Sequence, residues 1–176
     1  MKYYSTRNKM EKASLKEAVM RGLAPGGGLY MPVEIPVLRR DELDEIRELD
    51  LTGIAVLLSQ KLFGDDLSGN ELADIAADAV NFDTPVVKVE EGCYALELFH
   101  GPTLAFKDVG ARFMARMLGV FTRGLNRPVH VLVATSGDTG SAVANGFLGV
   151  DGVQVHVLYP SGGVSSLQEN QFSTLG

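Results

Sequence analysis

Cysteine is almost missing from this chain: Cys93 stands alone among 176 residues. A disulfide framework and a cysteine-based zinc site are therefore excluded. Histidine is scarce as well. His100, His130 and His156 are scattered without H-x-x-x-H spacing, so no metal centre is expected. Runs of lysine or arginine are lacking and the net charge is −6. That balance argues against nucleic acid or an anionic membrane as the main partner. No apolar run approaches the roughly 20 residues that cross a bilayer. The opening residues, MKYYSTRNKMEKAS, lack the apolar segment of a secretory signal, and a cytoplasmic protein is expected.

What is present is globular. With 45% apolar and 22% charged residues, the chain has the composition of a soluble protein and the length for one domain or two small lobes. Residues 1–84 read as a mainly helical lobe. Tyr3 and Tyr4 open a short strand, and Ser14-Leu-Lys-Glu17 is a capping box that starts a helix carrying Ala18 and Val19, with Gly22 as its stop. Ala24-Pro-Gly-Gly-Gly28 is a turn. Helices follow over 41–49, over 53–63 with Thr52 as cap, and over 72–80 behind a second box, Ser68-Gly-Asn-Glu71.

The pattern changes after Asp83-Thr-Pro85. Residues 86–89 and 94–99 read as strands around the turn Glu90-Glu-Gly92. A helix from Lys107 to about Arg123 carries an apolar face of Ala111, Met114, Ala115 and Leu118, leaving Arg112, Arg116 and Arg123 to solvent. The run HVLVA over 130–134 suits a strand covered on both faces. It leads through Thr135-Ser-Gly-Asp-Thr-Gly-Ser141 into a helix to about Leu148, and then into a strand over 153–159. Strand, helix and strand in this order make a βαβ unit with parallel strands. Ser165 caps a last helix. The fold expected is α/β: a small helical N-terminal lobe, then 85–176 as the start of a parallel sheet domain. Two parallel strands make a poor sheet, so the chain reads as part of something longer.

Two places carry chemistry. In LFHGPTLAFKDVGARFM, residues 98–114, a strand turns into a helix with Lys107 at its start and Asp108 in its first turn. The positive end of a helix macrodipole disfavours an ammonium ion, and a neutral amine can attack a carbonyl to form a Schiff base. Phe106 offers an apolar ring to wall off solvent. A solvated surface lysine is the commoner outcome at such a position. The second place is the 135–141 loop, where hydroxyls and glycines lie between a strand's end and a helix start, the place where anions bind in open α/β sheets. It is neither G-x-x-x-x-G-K-[ST] nor G-x-G-x-x-G, so nucleotide fingerprints are lacking. The loop suits a carboxylate or small phosphate, or else is a hydroxyl-capped turn without a ligand.

The segments ELFHGPTLAFKDVGARFM (97–114) and LVATSGDTGSAVANGFL (132–148) resemble the signatures of the threonine synthase family. These are pyridoxal-phosphate enzymes of the tryptophan-synthase β fold group (fold type II). Leu23-Ala-Pro, Gly27 to Pro32, Leu158-Tyr-Pro, Val164-Ser and residues 168–176 extend the likeness over the whole chain, which covers only the first part of the family's length. The resemblance implies pyridoxal 5'-phosphate as cofactor and Lys107 as the lysine that forms its Schiff base and moves protons, with Phe106 and Asp138 beside the cofactor. It implies that Ser136, Gly137, Asp138 and Thr139 receive the substrate's carboxylate. The implied reaction is that of a carbon–oxygen lyase acting on phosphates, O-phospho-L-homoserine and water giving L-threonine and phosphate.

Two departures stand out. Gly26 replaces an acidic or polar residue, and Gly163 stands where relatives carry a lysine. If that lysine holds substrate phosphate, Arg112 is the substitute cation expected here. The family's cofactor-phosphate loop lies beyond residue 176, so the piece by itself is expected to be inactive. Serine or threonine dehydratases and cysteine synthase are the alternatives within the fold group, although these usually carry asparagine at position 138. A non-catalytic metabolite-binding relative and an anion-binding domain without cofactor are the others. The oligomeric state stays open.

Overall fold

Hydroxyl–carboxylate boxes start two helices, as the sequence requires. In the computed structural model, which describes residues 2–175, the Glu17 N–H donates to Ser14 Oγ at 3.2 Å while the Ser14 N–H donates to the Glu17 carboxylate at 2.9 Å. The helix they open, α1 (Leu15–Arg21), stops at Gly22 with φ +71°. Ser68 and Glu71 repeat the arrangement before α4 (Gly69–Ala79). Between them run α2 (Arg40–Ile46) and α3 (Leu51–Phe63). The cap of α3 is Asp50, whose side chain accepts the Gly53 N–H at 2.8 Å, and Thr52 lies inside the helix. A carboxylate three residues ahead of that N–H outcompetes a hydroxyl adjacent to it.

The chain divides into two compact units, Met1–Ala77 and Asp78–Gly176. The first is not purely helical. Strand β1 (Lys2–Ser5) pairs antiparallel with β2 (Lys12–Ser14) on one side and with β3 (Tyr30–Pro32) on the other. Both partners are three residues long, too short to display a period of two in the sequence.

The second unit begins with an antiparallel hairpin, β4 (Val86–Glu90) and β5 (Cys93–Leu96), turning at Gly92. Helix α5 (Lys107–Thr122) follows. Strands β6 (Val129–Ala134) and β7 (Val153–Leu158) pair in parallel, Val131 opposite Val155, across α6 (Asp138–Phe147). Helix α7 (Ser166–Ser173) completes the described chain. Helix α6 packs against α5, α7, β6 and β7, and Ala115, Met117, Leu118, Phe121, Val133, Ala142 and Phe147 form the buried interior.

Two expectations are corrected here. Along β6 and β7 exposed residues alternate with covered ones, so His130, Leu132, His156 and Leu158 lie open. The sheet is covered on one face, because α6 packs on one side and the described residues bring no layer to the other. On α5 the solvent and core faces are rotated from the expected ones. Met117 is buried and Met114 exposed, while Arg112 is only 8% exposed. The Arg112 guanidinium donates to the backbone carbonyls of Asp78 and Ala79 and to Asn81 Oδ1. Buried carbonyls at the end of α4 need donors, and this arginine supplies them.

Candidate functional site

Lys107 is presented by a turn whose geometry a buried acid holds. Asp108, 1% exposed, accepts the Thr103 N–H at 2.9 Å and the Thr103 hydroxyl at 2.6 Å, one on each carboxylate oxygen. Residues 101–108 are wound tightly. The Leu104 N–H donates to the Gly101 carbonyl and the Asp108 N–H to that of Ala105, and Leu104 adopts φ +57°, which a branched side chain rarely accepts. Gly101 admits no side chain, since a Cβ would lie 2.6 Å from Asp108 Oδ2. From α7, Gln171 Nε2 donates to the Thr103 carbonyl at 3.2 Å. The lysine thus leaves the first residue of α5 from a rigid base.

The β6–α6 loop is organised by Thr135. Its hydroxyl oxygen accepts the N–H groups of Gly137 and Gly140, at 3.1 and 3.0 Å, and donates to the Gly137 carbonyl. Gly140 lies so close that a Cβ there would meet Thr135 Cγ2 at 2.3 Å. Among the described residues the N–H groups of Ser136, Asp138 and Thr139 have no partner in the chain. They sit at the start of α6, where the macrodipole favours an anion.

Lysine and loop meet. Lys107, Ala134 to Thr139 and Gln168 line one depression of about 360 Å³. Lys107 Nζ lies 3.7 Å from Asp138 Oδ2, with the two side chains 33% and 51% exposed, and 4.5 Å from the centre of the Phe106 ring. The structure therefore gathers Lys107, Ser136, Gly137, Asp138 and Thr139. Phe106 sits beside the amine but is 61% exposed and walls off no solvent in this chain. Arg112 is not brought to the depression. Its guanidinium is spent on the end of α4. Gly163 is fixed by its own turn, because a Cβ there would lie 2.7 Å from the Pro160 ring. Gln168 is a residue of this site that sequence reasoning misses. In the sequence it stands three residues after the capping Ser165 and opens the segment 168–176 that shares the family likeness, and neither mark assigns it to a site.

Residues 2–80 match the family described as threonine synthase N terminus. Threonine synthase from Escherichia coli strain K12 is 43% identical over 176 residues, covering 100% of this chain and 41% of the relative. That from Buchnera aphidicola subsp. Baizongia pistaciae is 42% identical, with the same coverage. Among solved structures, threonine synthase from Escherichia coli superposes with a TM-score of 0.89 over 100% of this chain and 41% of its own. A PLP-bound threonine synthase from Brucella melitensis, 34% identical, gives 0.89 over 97% of this chain and 38% of its own. The chain thus spans about two fifths of the length of these relatives.

Proposed function

We propose that the chain is the N-terminal portion of a threonine synthase family member and that it supplies the reactive amine and the carboxylate-binding loop of a pyridoxal 5'-phosphate enzyme. The reaction is the conversion of O-phospho-L-homoserine and water to L-threonine and phosphate, in the cytoplasm. The observation that carries this reading is that Lys107 opens onto the same depression as the unpaired N–H groups of the β6–α6 loop.

The residues present fit the aldehyde end of that cofactor. Lys107 is a primary amine, one third exposed, on a rigid turn. When bound, the cofactor supplies an aldehyde that condenses with amines and a conjugated ring that draws electrons from the substrate's Cα. The chain's own residues do the rest. Lys107 is the residue that would hold the cofactor, and its amine would take and return protons at the substrate's Cα and Cβ. Asp138 Oδ2, 3.7 Å away, is the carboxylate oxygen that faces its Nζ. The N–H groups of Ser136, Asp138 and Thr139, with the hydroxyls of Ser136 and Thr139, receive the substrate's carboxylate. Phe106 lies beside the amine. Among the described residues no arginine and no second lysine lines the depression, and on this reading the isolated 176-residue chain turns over negligibly.

The test is borohydride trapping. Full-length enzyme is incubated with pyridoxal 5'-phosphate, reduced and peptide-mapped, and one phosphopyridoxyl group on Lys107 is expected. Diffuse labelling, or none, overturns the reading. Threonine formation by the isolated chain would refute its inactivity.

A further inference from the structure

Gln168 lies in the first turn of α7, thirty residues from the loop it touches. Its Nε2 donates to Asp138 Oδ1 at 2.7 Å. The orientation of the amide is set from behind, where Oε1 accepts the Ser165 hydroxyl at 3.2 Å. Its flank packs on Gly137, where a Cβ would come within 2.9 Å of Nε2. The other oxygen of Asp138 is the one that faces Lys107.

This arrangement solves an electrostatic problem. Asp138 is the first residue of α6, and a carboxylate there is drawn to the unpaired N–H groups of its own turn. Those are the groups of Ser136, Asp138 and Thr139 that the proposed function gives to the substrate's carboxylate. Left to rotate, Asp138 would occupy them and repel the incoming anion. A charge-assisted bond from a neutral amide, worth more than an ordinary one, holds it aside without adding charge.

We infer that Gln168 is a positioning residue which keeps the Asp138 carboxylate turned toward Lys107 and away from the N–H groups where the substrate's carboxylate docks. The inference rests on the proposed function. It is tested in the full-length enzyme with Gln168→Met, which keeps the shape and loses the donor, alone and in an Asp138→Asn background. KM and kcat are measured separately for O-phospho-L-homoserine. Alone, Gln168→Met is expected to raise KM about tenfold and to change kcat less than about threefold. In the Asp138→Asn background there is no charge to restrain, so the same substitution shifts KM by less than about twofold. An equal rise of KM in both backgrounds, or a fall confined to kcat, overturns the inference while leaving the proposed function intact. If the wild-type enzyme carries no label on Lys107 after reduction, the proposed function and this inference fall together. Should Gln168→Met fail to fold, Gln168→Leu, which likewise loses the donor and adds no charge, carries the same comparison.

Discussion

Tyr3 buries a hydroxyl without a hydrogen-bond partner among the described residues. Burial, and to a smaller degree the charge of Asp66, favour the neutral phenol and push its pKa up to about 12. The sign follows from the proton count. An unfolded tyrosine ionises near 10, so the folded state holds its proton over a range where the unfolded state releases it. Stability is therefore full below about pH 10 and is lost as pH rises toward 12. Tyr3→Phe removes both effects. At neutral pH it is expected to stabilise the chain by about 1 kcal/mol, the cost of an unsatisfied buried group. Between pH 10 and 12 its advantage over the wild type should widen. Thermal melts at several pH values decide the matter, and a destabilised Tyr3→Phe would mean that the hydroxyl is satisfied after all. Asp108 is the converse case: a buried acid with both oxygens occupied by Thr103, where burial is compensated by hydrogen bonds.

At the level of elements, the site depends on how closely α5 and α6 approach. Gly146 on α6 lies against the backbone of Ala111 and Arg112, where a Cβ would come within 3.1 Å of the Ala111 carbonyl carbon. The Gly146 carbonyl accepts Arg116 Nη1 at 2.8 Å, and Arg116 also pairs with Asp78. One small residue and one arginine thus hold together the two helices that carry Lys107 and Asp138. Gly146→Ala forces the backbones apart and is expected to cost about 1–3 kcal/mol, less whatever alanine gains over glycine in a helix, about 1 kcal/mol. Chemical denaturation measures the net change. A stabilised variant would show that the helices can separate freely. Neither helix's own sequence reveals this contact. The apolar period of α5 gives a helix but sets its rotation only coarsely. Arg112 therefore reads as a solvent residue in the sequence, whereas its long stem fits a core face while its head finds carbonyls.

Across the whole second unit, the open face of the β6–β7 sheet carries Leu132 at 70% and Leu158 at 58% exposure. Parallel sheets ordinarily bury both faces, and contiguous exposed apolar surface promotes association. Replacing both leucines with threonine is expected to reduce self-association of the isolated chain, read by sedimentation, with its melting temperature little changed. Undiminished association would locate the sticky surface elsewhere.

Local chemistry is legible in this chain because it is written over short spans. The boxes at Ser14 and Ser68, the stop at Gly22, the hairpin at Gly92 and the strand–loop–helix order around Thr135 each need only a few neighbouring residues, whose preferences and spacing act before any long-range contact forms. Lys107 and the Ser136–Thr139 loop stand out on the same grounds, as the start of one helix and the start of another. The short strands β2 and β3, the cap at Asp50, the burial of Arg112 and the part of Gln168 are not legible. Each is fixed by a partner distant in sequence or by competition between neighbours: β1 for the strands, the end of α4 for the arginine, Asp138 for the glutamine. Local pattern is thus enough to place the helices and the longer strands and to say which residues bear reactive groups. Which of those groups share one depression is settled by packing alone, because that depends on how closely two helices approach and on which distant donor satisfies each buried or charged acceptor.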